Sequence, residues 1–240
     1  PGVSYDFLDY RTVKTYLPFH SVNTAAISML LGYNMGLGKK ELTDMGVGAL
    51  LSDYSMRRYD FTEYQKKLGS PEKEEMQEHA YLSFDNIRKI YGFSSRSALV
   101  AYQHHERHNG SGYPKKLADK RIAGLSRIVA AADVYDALIS KRPFRPAYRP
   151  DEAWEYIADN KGILFDPDVV SVFKKSIAKY IPGDRVLLSD GAQARIMKNK
   201  PGNMEAPVIK IIEKKERSDI ITAADKKGRP SIIKITESIR

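Results

Sequence analysis

Residues 104–114 run His104-His105-Glu106-Arg107-His108-Asn109-Gly110-Ser111-Gly112-Tyr113-Pro114. Two adjacent imidazoles offer two ligands of the commonest protein metal-binding type. The glycines, tyrosine and proline that follow make a sharp, shaped loop beside them. A metal site edged by a stiff loop suits the binding or cleavage of a phosphate. The chain has five histidines (His20, His79, His104, His105 and His108) and no cysteine. Any metal must therefore use imidazole and carboxylate. The adjacent pair fits a metal site and also fits histidines satisfied by other partners. Asp53 closes the run Leu50-Leu51-Ser52 and is either a helix-end surface group or a ligand facing a pocket. Asp133 sits within Ala131-Ala132-Asp133-Val134, where burial is expected and a cation or several donors would be needed. Asp136 follows on the same helix face, as an acceptor that orients an imidazole or as an exposed charge. Arg142 and Arg145 flank Pro143-Phe144; their guanidinium forks suit phosphate oxygens and equally suit a solvated loop.

The elements that must position these groups are mostly helical. Apolar residues at helical spacing predict helices over 21–37, 40–51, 72–91, 95–107, 122–140, 151–160 and 167–180. Pro71 with Glu72, Glu74 and Glu75 is a helix start, as is Asp166-Pro167. The 95–107 helix would carry the histidine pair near its end. The 122–140 helix is rich in small residues, and Ala130-Ala131-Ala132 permits close backbone approach. After Ile181-Pro182-Gly183 the pattern changes to short alternating runs, 185–188, 192–197, 207–213, 220–223 and 231–235. Turn residues separate them, which predicts a small antiparallel β unit. The expected division is a helical domain over 1–180 and a β-rich extension over 181–240. The start on Pro1-Gly2-Val3 suggests that a domain upstream is missing.

The chain has 240 residues and carries a net charge of +9. The basic residues are spread out rather than clustered, which favours a solvated surface over a nucleic-acid partner. Residues 181–240 hold 13 Lys and Arg against 8 Asp and Glu, and there too a solvated sheet is the expectation. No run of 18 or more apolar residues occurs, so no membrane span is expected. Neither a signal peptide nor cysteine is present, which suggests a cytoplasmic protein.

Taken in order, these motifs resemble the HD-GYP family, the branch of HD-type metal phosphohydrolases that opens cyclic di-GMP. The resemblance covers roughly residues 10–180. It rests on His20-Ser21-Val22, Ala49-Leu50-Leu51-Ser52-Asp53, His79, His104-His105-Glu106-Arg107 and Gly110-Ser111-Gly112-Tyr113-Pro114. It continues through Ala132-Asp133-Val134-Tyr135-Asp136-Ala137-Leu138, Arg142-Pro143-Phe144-Arg145 and Phe165-Asp166-Pro167. The resemblance implies a mainly α fold: an HD-type helical bundle with a small C-terminal antiparallel β appendage. It implies a divalent metal pair, commonly iron or manganese, bridged by Asp53. His79, His104 and His105 match the ligands of one metal; His20, position 52 and Asp133 match those of the other. Arg142 and Arg145 match phosphate-holding positions, and Asp136 would orient a ligand. Tyr113 belongs to the loop that shapes the nucleotide pocket and, in the family, contacts GGDEF-type cyclase partners.

Four positions depart from that pattern. Ser52 stands where the family's name-giving histidine belongs, and a neutral hydroxyl is a poor metal ligand. Met56 stands where a lysine would face the scissile phosphate. Tyr16 occupies the place of a glutamate that serves a third metal in some members, and Asn109 replaces an aspartate. The set around Asp53, His79, His104 and His105 is complete. The expectation is therefore one metal firmly bound and a second weak or absent, with slow or no turnover. The ligand would be cyclic di-GMP or a related dinucleotide, with a GGDEF-type partner and a homodimer as further options. The rival readings are an active cyclic di-GMP phosphodiesterase giving pGpG or GMP, and an HD phosphohydrolase for another nucleotide, against which the Gly-Tyr-Pro loop speaks.

Overall fold

A computed structural model describes residues 16–58, 70–141, 146–212, 220–222 and 231–237. It has seven α-helices among the described residues, followed by five strands. The helices are α1 (Tyr16–Asn34), α2 (Lys39–Leu51), α3 (Ser70–Ile87), α4 (Ser95–Gln103), α5 (Gly124–Ile139), α6 (Pro150–Asp159) and α7 (Pro167–Ser176). The chain divides into two compact units, Phe7–Val172 and one built mainly from Phe173–Arg240.

In the first unit, α5 is the central helix. Ile128, Val129, Ala130, Ala131, Ala132 and Tyr135 are all buried on it, and it packs against α1, α2, α4 and α6. The run of alanines lets several neighbours approach one short helix, and Asp133 and Asp136 are carried into the interior with it. Local chemistry sets the helix starts. Ser94 Oγ accepts from Ser97 N–H at the head of α4, and Glu41 Oε2 accepts from Gly38 N–H before α2. Pro150 opens α6 while Glu152 accepts from Arg149 N–H. The turn between α1 and α2 passes through Gly36 at φ +81°, a conformation that costs glycine little. α2 and α4 approach closely: a Cβ on Gly48 would lie 2.7 Å from the Ser97 carbonyl oxygen.

Several helix ends differ from the sequence expectation. α3 stops at Ile87 rather than 91, and α4 at Gln103 rather than 107. Beyond Gln103 the backbone turns so that the His105 carbonyl accepts Tyr113 N–H, a tertiary contact that periodicity cannot register. The second unit is an antiparallel sheet in the order β4-β3-β2-β1-β5. The strands are β1 (Arg185–Leu188), β2 (Gln193–Lys200), β3 (Asn203–Ile211), β4 (Ile220–Thr222) and β5 (Ile232–Glu237). Val186, Leu188, Ala194, Ile196, Ile209 and Ile235 form its apolar face with Tyr180.

Candidate metal centre

Five helices deliver the polar groups of one buried cluster. His20 comes from α1, Asp53 from the turn after α2, His79 from α3, His104 and His105 from the end of α4, and Asp133 and Asp136 from α5. A short 310 turn, Tyr54–Arg58, follows Asp53. It is tied to α3 where Ser55 N–H donates to Ser83 Oγ at 3.2 Å. That tie brings Asp53 towards His79.

Asp53 stands in the middle of the cluster. Its Oδ1 is 3.3 Å from His79 Nε2 and 3.6 Å from His104 Nε2, and its Oδ2 is 3.4 Å from His20 Nε2. His20 Nε2 lies 2.9 Å from Asp133 Oδ1, and His105 Nδ1 lies 3.7 Å from Asp133 Oδ2. Two donor groups result: Asp53 with His79, His104 and His105, and His20 with Asp53 and Asp133. Within each, the ligand atoms lie within 4.8 Å of one another. Asp53 belongs to both.

The donor chemistry fits divalent cations. His79 Nδ1 lies 2.6 Å from the Met76 carbonyl oxygen and His104 Nδ1 2.8 Å from that of Ala101. A carbonyl can only accept, so each Nδ1 carries a proton and each ring turns its Nε2 towards Asp53. The two Nε2 atoms face one another at 3.4 Å with Asp53 Oδ1 beside them. Two imidazole nitrogens and a carboxylate oxygen converging on one point call for a positive charge among them, a proton or a metal cation. Nitrogen and carboxylate oxygen suit iron, manganese or zinc. On the other side, His20 Nδ1 donates to Asp136 Oδ2 at 2.7 Å, and Asn23 Nδ2 donates to Asp136 Oδ1 at 2.9 Å. Asp136 thus has both oxygens occupied in holding the His20 ring.

The protein groups by themselves hold the Asp53 and Asp133 carboxyls as anions and act in opposite directions on the imidazoles. Burial opposes charge on Asp53, but hydrogen bonds from His104, His20 and His79 outweigh it and hold the carboxyl well below its usual range. Burial likewise opposes charge on Asp133, and His20 outweighs it. Burial and the neighbouring His104 and His79 push His105 well below the ordinary imidazole value, which keeps that ring neutral and available as a ligand. His20 and His79 are raised. Burial again opposes, but Tyr16 and the three aspartates prevail at His20, and Asp53 prevails at His79.

The loop after the histidine pair closes one side. The Tyr113 ring lies 4.6 Å from that of His105 at 32°, and His105 is the most open of the ligand imidazoles, its side chain 17 % exposed. Ser52 does not join the cluster through its hydroxyl, which donates to the Ala49 carbonyl oxygen at 2.9 Å. Met56 is buried in the 310 turn. Arg142 and Arg145 lie outside the described residues.

The sequence matches the HD domain family over residues 9–169. The chain belongs to the HD domain family, in its HD-GYP branch. It is 33% identical over 156 residues to the cyclic di-GMP phosphodiesterase response regulator RpfG of Xanthomonas campestris pv. campestris, covering 64% of this chain and 41% of that protein. It is 29% identical over 216 residues to a cyclic di-GMP phosphodiesterase of Pseudomonas aeruginosa, covering 88% of this chain and 51% of that one. Among solved structures it is similar to Bd1817, an HDG"Y"P protein from Bdellovibrio bacteriovorus, with a TM-score of 0.55 and 21% identity over 65% of this chain and 50% of that one. The chain spans about half the length of the curated relatives it matches. The solved structure supports the HD-type helical fold.

Sequence reasoning passed over Asn23, the Met76 and Ala101 carbonyls, and Glu106. The carbonyls were findable, since each lies three residues before its histidine, one helical turn back. Asn23 is likewise three residues after His20. Glu106 carried no such periodic signal.

Proposed function

We propose that this HD-GYP chain binds cyclic di-GMP at a centre that holds one divalent cation firmly and a second weakly, and that it hydrolyses the dinucleotide slowly or not at all. The observation that carries the reading is the facing of His79 Nε2, His104 Nε2 and Asp53 Oδ1, a donor set that wants a cation. Iron or manganese would be held there by Asp53, His79, His104 and His105, and at the second place by His20, Asp53 and Asp133. Such a cation, when bound, offsets charge on phosphoryl oxygens and lowers the pKa of water. Within the chain, Asp53 spans the two donor groups and fixes their relative position. Asp136 holds His20 in one tautomer, and the Met76 and Ala101 carbonyls do the same for His79 and His104. Tyr113 walls the open side at His105. Arg142 and Arg145 are proposed to grip phosphate. The second place has only three protein ligands, because the Ser52 hydroxyl is spent on its own helix. The absence of a lysine at Met56 removes a cation next to the leaving group. Two such losses remove several kcal/mol of transition-state stabilisation, at about tenfold in rate for each 1.36 kcal/mol. A GGDEF-type partner at the Tyr113 loop belongs to the same reading.

A second reading, full phosphodiesterase activity, is favoured by the assembled His20, Asp53 and Asp133 group and by the activity named for the relatives. One experiment separates them. The chain is incubated anaerobically with cyclic di-GMP and iron or manganese, and products and binding are both measured. Metal-dependent binding with little product supports the proposal. Rapid release of pGpG or GMP supports the second reading, and no binding defeats both.

A further inference from the structure

Glu106 is an acid in a costly place. It is only 1 % exposed, and a buried carboxylate must be satisfied by donors or a cation. It adjoins two metal-ligand candidates but belongs to neither donor group. Its oxygens are spent on backbone. Oε1 accepts Lys115 N–H at 2.7 Å and Oε2 accepts Leu117 N–H at 2.9 Å. Charge-assisted bonds of this kind are roughly twice as strong as neutral ones.

Those two amides lie just past Tyr113-Pro114, so Glu106 grips the far end of the loop that carries the tyrosine. The near end is seated on the residue before Glu106. Tyr113 N–H donates to the His105 carbonyl oxygen at 3.2 Å. Gly112 passes so close that a Cβ there would lie 2.3 Å from the same oxygen and 2.6 Å from Glu106 Cα. The result is a ring, Tyr113, held 4.6 Å from the His105 ring and 6.3 Å from the His79 ring. We infer that Glu106 is a positioning residue: it holds Tyr113 against His105 and so sets affinity for the dinucleotide, without contributing to the grip on the cation. The inference rests on the cyclic di-GMP reading above for the ligand, and on the loop geometry alone for the positioning.

Glu106→Gln is nearly isosteric. It keeps one acceptor and turns an NH2 group against the second backbone N–H, so one donor loses its partner. The test compares wild type, Glu106→Gln, Tyr113→Ala and the double variant. Three readouts are taken on the full chain: manganese affinity by calorimetry, cyclic di-GMP affinity on the manganese-loaded chain, and amide hydrogen exchange at Lys115 and Leu117. The expected results for Glu106→Gln are manganese affinity within about threefold of wild type, cyclic di-GMP affinity reduced about tenfold or more, and faster exchange at one or both amides with α4 and α5 unchanged. In the Tyr113→Ala background Glu106→Gln should cost little further affinity, since the group it positions is gone. Full additivity of the two losses, unchanged exchange, or a parallel loss of manganese would each overturn the inference. Gly112→Ala gives an independent route, pushing the loop off His105 with Glu106 intact. It should reproduce the affinity loss, and wild-type affinity in that variant would also count against the inference. If the wild-type chain binds no cyclic di-GMP, the functional reading fails, and exchange at Lys115 and Leu117 decides the positioning by itself.

Discussion

Gly46→Ala and Gly48→Ala make one chemical change at two positions on the same helix, and the structure predicts opposite results. Replacing glycine by alanine inside a helix stabilises it by up to about 1 kcal/mol. At Gly46 the added Cβ meets only Met29, with Sδ at 3.0 Å and Cγ at 3.5 Å. A thioether side chain can swing aside, so a net gain of about 0.5 kcal/mol is expected. At Gly48 the Cβ meets Val100 Cβ at 2.6 Å, the Ser97 carbonyl oxygen at 2.7 Å and Val100 Cγ1 at 2.9 Å. Comfortable carbon contacts need about 3.5–4.0 Å, so α2 and α4 must part by about 1 Å. Overpacking of this kind costs about 1–3 kcal/mol, which exceeds the propensity gain. The net is a loss of about 1 kcal/mol, or roughly 2–4 °C in Tm for a unit of this size. The parting also moves Asp53, just past α2, away from His104, at the end of α4. Manganese affinity should therefore fall about tenfold or more in Gly48→Ala and stay unchanged in Gly46→Ala. Calorimetric melting and manganese titration read both effects. A Gly48→Ala protein that melts at or above wild type with unchanged manganese affinity would refute the described approach of the two helices.

Three further outcomes are expected. Asp136→Asn leaves His20 poorly held and should weaken the second, looser manganese event about 10–100-fold while sparing the first, read as two phases of a titration. Ser52→His with Met56→Lys should raise manganese from about one towards two per chain, measured by elemental analysis; unchanged content would remove position 52 from the ligand set. Asp166 Oδ1 accepts Asp168 N–H and Val169 N–H at the head of α7, and Asp166 also pairs with Arg127. Burial opposes its charge, but these donors outweigh burial and lower its pKa. Its contribution is therefore complete above the unfolded aspartate value of about 3.9 and is lost as pH falls through the lower folded value. Asp166→Ala should cost about 1–2 kcal/mol at neutral pH, and its stability gap to wild type should close in acid melts below about pH 4.

Much of the frame was legible in the residues. Ala130-Ala131-Ala132 marked α5 as the helix others approach, and it is central. Alternation and turn residues located the five strands to within a few residues. The candidate site was legible in a different way. No spacing rule joins His20 to Asp133 across 113 positions; only the ordered string of family motifs set them in one group. What escaped the sequence was tertiary. α4 ends at Gln103 because Tyr113 N–H docks on the His105 carbonyl, and Ser52 turns back to Ala49 because its hydroxyl finds that acceptor first. Glu106 read as one letter of a motif until its two backbone partners were visible.

Manganese titration of wild type beside Asp53→Asn tests the central claim most directly. Asp53 is the one group common to both donor sets, so the account predicts about one tight equivalent in wild type, and in the variant a loss of more than 100-fold in affinity. A wild-type chain that takes up neither manganese nor iron, or an Asn variant that binds as tightly as wild type, would contradict it.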